Sequence, residues 1–428
     1  MSFTKNLFLF ILGAIAFVGC GDDDLCDGKE CPEGQILNTV NCECVELATE
    51  DQVLVSTNIT SDVTWTADKE YLLGGRISVT DGATLTIEAG TVIKGEAGTG
   101  ANATALLVAR GAKLNANGTA ALPIIFTSKA DNITPAMVAE GNYSSPNLDP
   151  SINGLWGGVI MLGHAPISAQ NESDEDVSEL QIEGIPTSDA NGLYGGNDPT
   201  DNSGSISYIS IRHGGANIGA GNEINGLTLG GVGSGTSISN VEVVANQDDG
   251  IEWFGGTVSA SNVLVWNCGD DGLDTDQAWN GTCRNFVIVT PQGGSAMELD
   301  GPEGSFTQGA NQFTNGLIYA GDNIDHIIDW DSNTNTGIKD VYFFGIDPGY
   351  NADGSFEPIE SFDGDGSGTT ENWEYTLPAG VEVTNIFTGV PATTLTAVGA
   401  NSNTVGPNAN DFAWTWAGHS NALSGLGL

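Results

Sequence analysis

The chain has 428 residues, 60 of them Gly, and its acids outnumber its bases 55 to 11, a formal charge of −44. Only 15% of residues are charged, against roughly 25% in ordinary globular proteins, so the imbalance is a shortage of Lys and Arg. That excludes nucleic acid as a natural partner, which is held by basic side chains neutralising phosphates, and disfavours direct electrostatic docking on an anionic membrane.

A hydrophobic content of 39% with nine Trp argues against disorder. Abundant Gly, Asn, Thr and Ser argue against long helices. Residues 1–19 read as a targeting segment. Lys5 supplies the positive charge, and Leu7 to Val18 is an apolar run of 12, signal-peptide length and too short to span a bilayer. The run ends Phe17-Val18-Gly19-Cys20. Small residues before a Cys resemble the lipobox of bacterial lipoproteins, with Phe17 in place of the usual Leu, and this implies lipidation of Cys20. The following Gly21-Asp22-Asp23-Asp24 resembles the acidic surface-export signal of lipoproteins from the phylum Bacteroidota; the alternative is a solvated acidic linker. The expected address is the outer membrane, through lipid on Cys20, facing the cell exterior.

Residues 20–48 hold this linker and a small module with Cys26, Cys31, Cys42 and Cys44. Outside the cytoplasm, four clustered Cys predict two disulfides, because so short a segment cannot bury a core of its own. Cys42 and Cys44 are too close to pair with each other, so each is expected to bond Cys26 or Cys31. A zinc knuckle is the rival, and the C-x4-C and C-x-C spacings fit it poorly.

From about residue 50 to 428 the chain reads as short β runs divided by Gly, Asn and Asp. Alternation is clear in Ala83-Thr84-Leu85-Thr86-Ile87-Glu88, with a turn at Gly90 and another run at Thr91-Val92-Ile93. A longer repeat overlies this. Similar runs start at Ile206, Ile238, Ala260, Cys283, Phe313 and Gly337, in steps of 32, 22, 23, 30 and 24 residues. Asn recurs at the third place, as Asn240, Asn262, Asn285 and Asn315, and a second column holds Asp-Asp-Gly-Ile-Glu at 248–252, Asp-Asp-Gly-Leu-Asp at 270–274 and Ala296-Met297-Glu298. A period of about 22 with strands and no helix predicts a solenoid of stacked coils, with Asn laddering between coils and Gly at corners. The expected fold is all-β: one right-handed parallel β-helix, with loop insertions near 130–155 and 168–204. The first strands after 50 and Phe412-Ala413-Trp414-Thr415-Trp416 are the expected end caps. Cys268 and Cys283 are expected to form an inter-coil disulfide, with two inert buried thiols as the alternative.

The motifs GATLTIEAGTVIKG, PIIFTS, WGGVIMLGHAPI, ISYISIRHGG, DDGIEWFGG, DDGLDTD and FAWTWAG together resemble a family of Bacteroidota β-helix lipoproteins of the pectin-lyase-like type. Its members often carry the label "multidrug transporter", which does not suit a chain whose apolar runs are this short. The resemblance implies a surface-exposed β-helix accompanying uptake or adhesion systems, with a glycan or an outer-membrane receptor as partner, and no catalytic residues to carry over.

The wider β-helix superfamily includes pectate lyases and polygalacturonases, so catalysis is the alternative. A glycosidase needs two carboxylates flanking a bond. Asp248-Asp249 and Asp270-Asp271 on successive coils, with Asp274 and Asp276 nearby, supply carboxylates, but the Gly-His-Gly and Arg-Ile-Lys motifs of polygalacturonases are missing, and His213 lies upstream. A lyase needs a base, and Arg212, Arg284 and Lys339 are the basic residues of the repeat region.

Stacked carboxylates about 4.8 Å apart repel unless they face solvent as turn residues or hold a cation. Asp248, Asp249, Asp270, Asp271 and Asp274 are therefore candidate calcium ligands, the solvent-facing Asp-Asp-Gly turn being the equal alternative. A second candidate spans 363–374. Asp363, Asp365, Ser367, Thr369, Glu371 and Glu374 match the ligand places of a twelve-residue EF-hand loop with Gly368 at its sharp turn, although the flanks do not read as helical. Trp253, Phe254, Trp266, Trp279 and Trp330 either stack on sugars or, as the preferred reading, pack the core.

Overall fold

The computed structural model describes residues 35–38, 43–46 and 51–423, apart from 172, 219–222, 290–292, 322–323, 347–357, 361, 363–367 and 421. Cys20, Cys26, Cys31, Cys42, Asp363, Asp365 and Ser367 lie outside the described residues. The chain divides into residues 1–47 and 48–428. In the first unit, strands Gln35–Asn38 and Glu43–Glu46 pair antiparallel, with Leu37 opposite Cys44.

The second unit is a right-handed parallel β-helix. Its early coils use three short strands each. Thr84–Ile87, Val92–Gly95 and Ala105–Val108 form one coil, and Lys113–Asn117, Ile124–Ser128 and Val159–Leu162 form the next. Each strand pairs in parallel with its counterpart one coil on. Strand Gly204–Arg212 then runs alongside both Lys113–Asn117 and Ile124–Ser128. From there on, the first two strands of a coil are one long strand bent at a corner. These bent strands join the two rows of short early strands into one angled fifteen-stranded sheet, and a flat eight-stranded sheet closes the remaining side.

The corner has a local cause. Tyr208, Asn240, Asn262, Asn285, Asn315, Asp340 and Asn372 all adopt φ between 49° and 59°, the left-handed region that Asn tolerates best among residues with a side chain. The stacked amides bond along the helix axis. Asn262 Nδ2 donates to Asn240 Oδ1 at 3.1 Å, Asn285 to Asn262 at 2.9 Å and Asn315 to Asn285 at 2.6 Å. The expected Asn ladder is present.

Inside, like stacks on like. Val243, Val265, Ile288, Ile318 and Phe343 share one column, and these side chains belong to one continuous core. Ile206, Ile238, Ala260, Cys283 and Phe313 form a second column, continued by Ile338. The last repeat therefore starts at Ile338, one residue later than the sequence spacing suggests, since a one-residue slip would turn every side chain to the opposite face.

The same register corrects the disulfide expected between Cys268 and Cys283. Both are free buried thiols. Cys283 stacks directly on Ala260, and Cys268 follows Ala260 by eight residues, up to ~26 Å of extended chain. A disulfide needs Cα atoms within about 7 Å.

Two excursions leave the coils. Residues 129–158 carry a short helix, Pro135–Ala139, whose first turn is capped by Thr134. Residues 163–203 carry two small hairpins and cover part of the outer face of the flat sheet, with Ile182, Ile185 and Tyr194 packed on Leu107, Ile160 and Phe254. The C-terminal segment is not an end cap. Phe412, Trp416 and Leu423 pack on Val244, Leu264, Trp266, Val287 and Leu317, the outward apolar row of the angled sheet, so it lies along the side of the helix. Apolar side chains on both faces of those strands require such a cover.

Candidate functional site

Strands Ile251–Phe254, Leu273–Asp276, Gly293–Leu299 and Ile324–Trp330 lie side by side in the flat sheet. Their inward positions, Ile251 and Trp253, Leu273, Met297 and Leu299, Ile328 and Trp330, fill the core. Alternation then turns the intervening residues outward, and register places Glu252, Asp274, Glu298 and Asp329 in one row. Four successive coils present a carboxylate at the same place, about 4.8 Å apart.

The turns entering these strands add two Asp pairs. Asp271 N donates to Asp249 Oδ1 at 3.0 Å, and Ser295 N donates to Asp271 Oδ1. These bonds tie one turn to the next and orient the carboxylates. A Cβ on Gly294 would strike the carboxylates of both Asp270 and Asp271, so a side chain there would push them out of their present positions. Asp249 and Asp271 are buried, Asp248 is half-buried and Asp270 is exposed.

Two sets of oxygens converge. One joins Asp248, Asp249 and Asp270; the other joins Asp249, Glu252 and Asp274, with all three residues buried and their ligand atoms within 4.8 Å of one another. Asn225 Nδ2 donates to Glu252 Oε2, while Asn225 Oδ1 and Asp274 Oδ1 have no hydrogen-bond partner among the described residues. Two orphaned acceptors in a buried cluster call for a cation or a donor.

The electrostatics point the same way. Burial, then the charges of Glu183 and Asp270, push Asp248 up to about 7. Burial and neighbouring acids hold Asp249, Glu252 and Asp274 well above the usual carboxylate range. Burial raises Asp271 to about 6, and burial with Asp271 raises Glu298 to about 8. Two ionised carboxylates about 5 Å apart repel by roughly 3 kcal/mol at an effective dielectric constant near 20. Yet every ion pair made by a described Lys or Arg lies elsewhere. Arg212 is buried against Glu242, and Lys339 pairs with Glu371.

The structure thus brings together Asp248, Asp249, Asp270, Asp271 and Asp274, the residues singled out by the repeat. It adds Glu183 and Glu223 from the covering segments, whose charges reach Asp248, and Asn225. No periodic signal marks these three, because they come from loops. The loop expected over 363–374 meets a different fate in its second half. Thr369, Glu371 and Glu374 lie in strand Thr369–Tyr375, paired with Gly337, Lys339 and Tyr342. Glu374 accepts from Thr404 N and Thr404 Oγ1, both at 2.6 Å, and Glu371 meets Lys339 Nζ at 2.6 Å. These carboxylates are already committed, so a loop curled round an ion does not form over 369–374. A further small cluster, His326, Asp329 and Glu360, was not legible, because Glu360 stands outside the repeat.

The aromatic candidates resolve as packing. Trp253 and Trp279 stack at 4.7 Å in the core, and Trp330 joins the same core. Trp266 and Phe254 are buried beneath the C-terminal segment and the 163–203 excursion.

No curated protein matches the sequence. Among solved structures, the chain is similar to a Family 28 exopolygalacturonase of Yersinia enterocolitica, at 11% identity and a TM-score of 0.18, over 82% of this chain and 64% of that one. The chain therefore spans a little under two thirds of that structure's length. The sequence matches the profile of the pectate-lyase-like β-helix domain over residues 57–340, and the chain belongs to that family.

Proposed function

We propose that this protein is a non-catalytic, lipid-anchored surface scaffold, a cation-loaded β-helix that binds a glycan or an outer-membrane receptor through its loops. The address follows from the signal-like segment and Cys20. The cation reading rests on one observation: Asp249, Glu252 and Asp274 converge in a buried cluster where, among the described residues, Asp274 Oδ1 and the neighbouring Asn225 Oδ1 have no hydrogen-bond partner and no Lys or Arg is paired. Calcium is the natural occupant, since it takes six to eight oxygen ligands and tolerates irregular geometry. It would relieve the repulsion and tie two successive coils together.

Catalysis is the second reading, and the accessible pair Asp248 and Asp270 favours it. A carboxylic acid raised to about 7 is suited to proton donation at neutral pH. Against it, the deeper acids are buried, and among the described residues no Lys or Arg is paired with them to serve a lyase.

The test is a calcium titration followed by melting, with reducing-sugar and unsaturated-product assays on a polysaccharide panel. The scaffold reading expects a higher melting temperature with calcium and no product. Product release abolished by Asp271→Asn overturns it.

A further inference from the structure

The Asn ladder does not continue to the first bent strand. Tyr208 occupies its place there, at φ 49°, on the strand next to Asn240. The coil corner imposes this φ on every residue of the column, and Tyr208 meets it with a bulky ring where the following coils use Asn or Asp. Tyr208 lines a cavity of about 550 Å³ together with Tyr143, Asn240, Asp411, Trp414 and His419, a volume within the range of small-ligand sites.

The lining has a definite chemistry. Trp414 meets Tyr208 edge to face at 5.4 Å, and His419 meets Tyr143 at 4.6 Å. Trp414 is 4% exposed, and its Nε1 has no acceptor among the described residues. Each ladder amide donates to the preceding Asn, so Asn240 is the last acceptor and its own Nδ2 has no acceptor among the described residues. Trp414 Nε1 is itself buried beneath the cavity wall, so Asn240 Nδ2 is the unused donor, and with the aromatic side chains it wants a ligand with acceptors and an apolar face. Asp411 and the net charge of −44 disfavour an anion. An organic cation would leave that donor unmet. A neutral sugar meets every condition, with hydroxyls as acceptors and C–H faces against the rings.

We propose that this cavity, between the head of the Asn ladder and the C-terminal segment, binds a neutral saccharide. The proposal rests on the ligand-binding reading above and gives it a place. It is separate from the cation cluster, because the cavity belongs to the angled sheet and the acidic row to the flat sheet.

The test is calorimetric titration of the full chain with β-1,4-linked tetrasaccharides of glucose, xylose and mannose, and with tetragalacturonate. Binding of at least one neutral tetrasaccharide, and none of tetragalacturonate, is expected. Tyr208→Asn keeps a residue suited to the left-handed backbone, so it should fold, and it should lose at least tenfold in affinity. Undiminished affinity in Tyr208→Asn, or a preference for tetragalacturonate, overturns the assignment. So does silence with all three neutral sugars from a protein that calcium still stabilises, a result that leaves the cation reading standing.

Discussion

Arg212 and Glu242 approach to 3.7 Å with 1% and 0% of their side chains exposed, and the ring of Trp416 lies 5.0 Å from the guanidinium. Arg212 Nε donates to Ser210 Oγ at 2.7 Å, and Ala417 N donates to Glu242 Oε1 at 3.0 Å. The pair therefore ties the C-terminal segment to the outer face of the angled sheet. Burying two charges costs heavily, but removing one partner costs more, because the other stays buried and unpaired.

Glu242→Ala should destabilise the protein by about 3–5 kcal/mol. Urea unfolding measures this. Hydrogen exchange should speed up first over 409–420. A loss near 1 kcal/mol would show that solvent enters and rescues Arg212.

Asn262 carries two costs in one position, its φ of 56° and two ladder bonds. Asn262→Ala should lose about 2–3 kcal/mol, combining the left-handed strain of a Cβ-bearing residue with the lost amide bonds. Asn262→Gly tolerates the backbone and should recover about 1 kcal/mol of that. Equal stabilities for the two variants would leave the ladder with no conformational role.

Asp274 sits between Glu252 and Glu298 in the acidic row. In chelator, Asp274→Asn removes one repelling charge and should raise the melting temperature by a few degrees. In calcium, the same variant should gain less than wild type from the ion. A variant that responds fully to calcium places the ion elsewhere.

The pH dependence has a defined sign. Glu183, Asp248 and Asp300 are raised to about 7 and Glu298 to about 8, each mainly by burial. Their folded values lie above the unfolded ones, so the folded chain holds more protons between pH ~4 and 8. Their contribution is fully present below pH ~4 and is lost as pH rises through 7 to 8. Melting in chelator should therefore fall from pH 5 to 8. Excess calcium should flatten the curve, so the gap between the two widens with pH. Parallel curves would remove the acidic row from cation binding.

Much of this was readable from residue spacing. Ile206, Ile238, Ala260, Cys283 and Phe313 stack as their spacing requires, and so do Glu252, Asp274 and Glu298. A solenoid repeats one packing problem at each coil, so like residues recur at a fixed interval. The expected disulfide failed because spacing along the chain does not say which points of a coil face each other. Thr369, Glu371 and Glu374 matched a loop pattern, but pairing with 337–342 made them a strand.

The sequence by itself determined the β-helix, its Asn ladder and its acidic columns, because each is periodic and periodicity follows from stacking. Only the tertiary structure decided the rest. It brought Asn225, Glu183 and Glu223 over the acidic row, and laid Trp414 and Trp416 along the side of the helix rather than on its end. Those residues lie on excursions, where burial depends on which surface the loop folds back to cover, and no interval in the sequence encodes that.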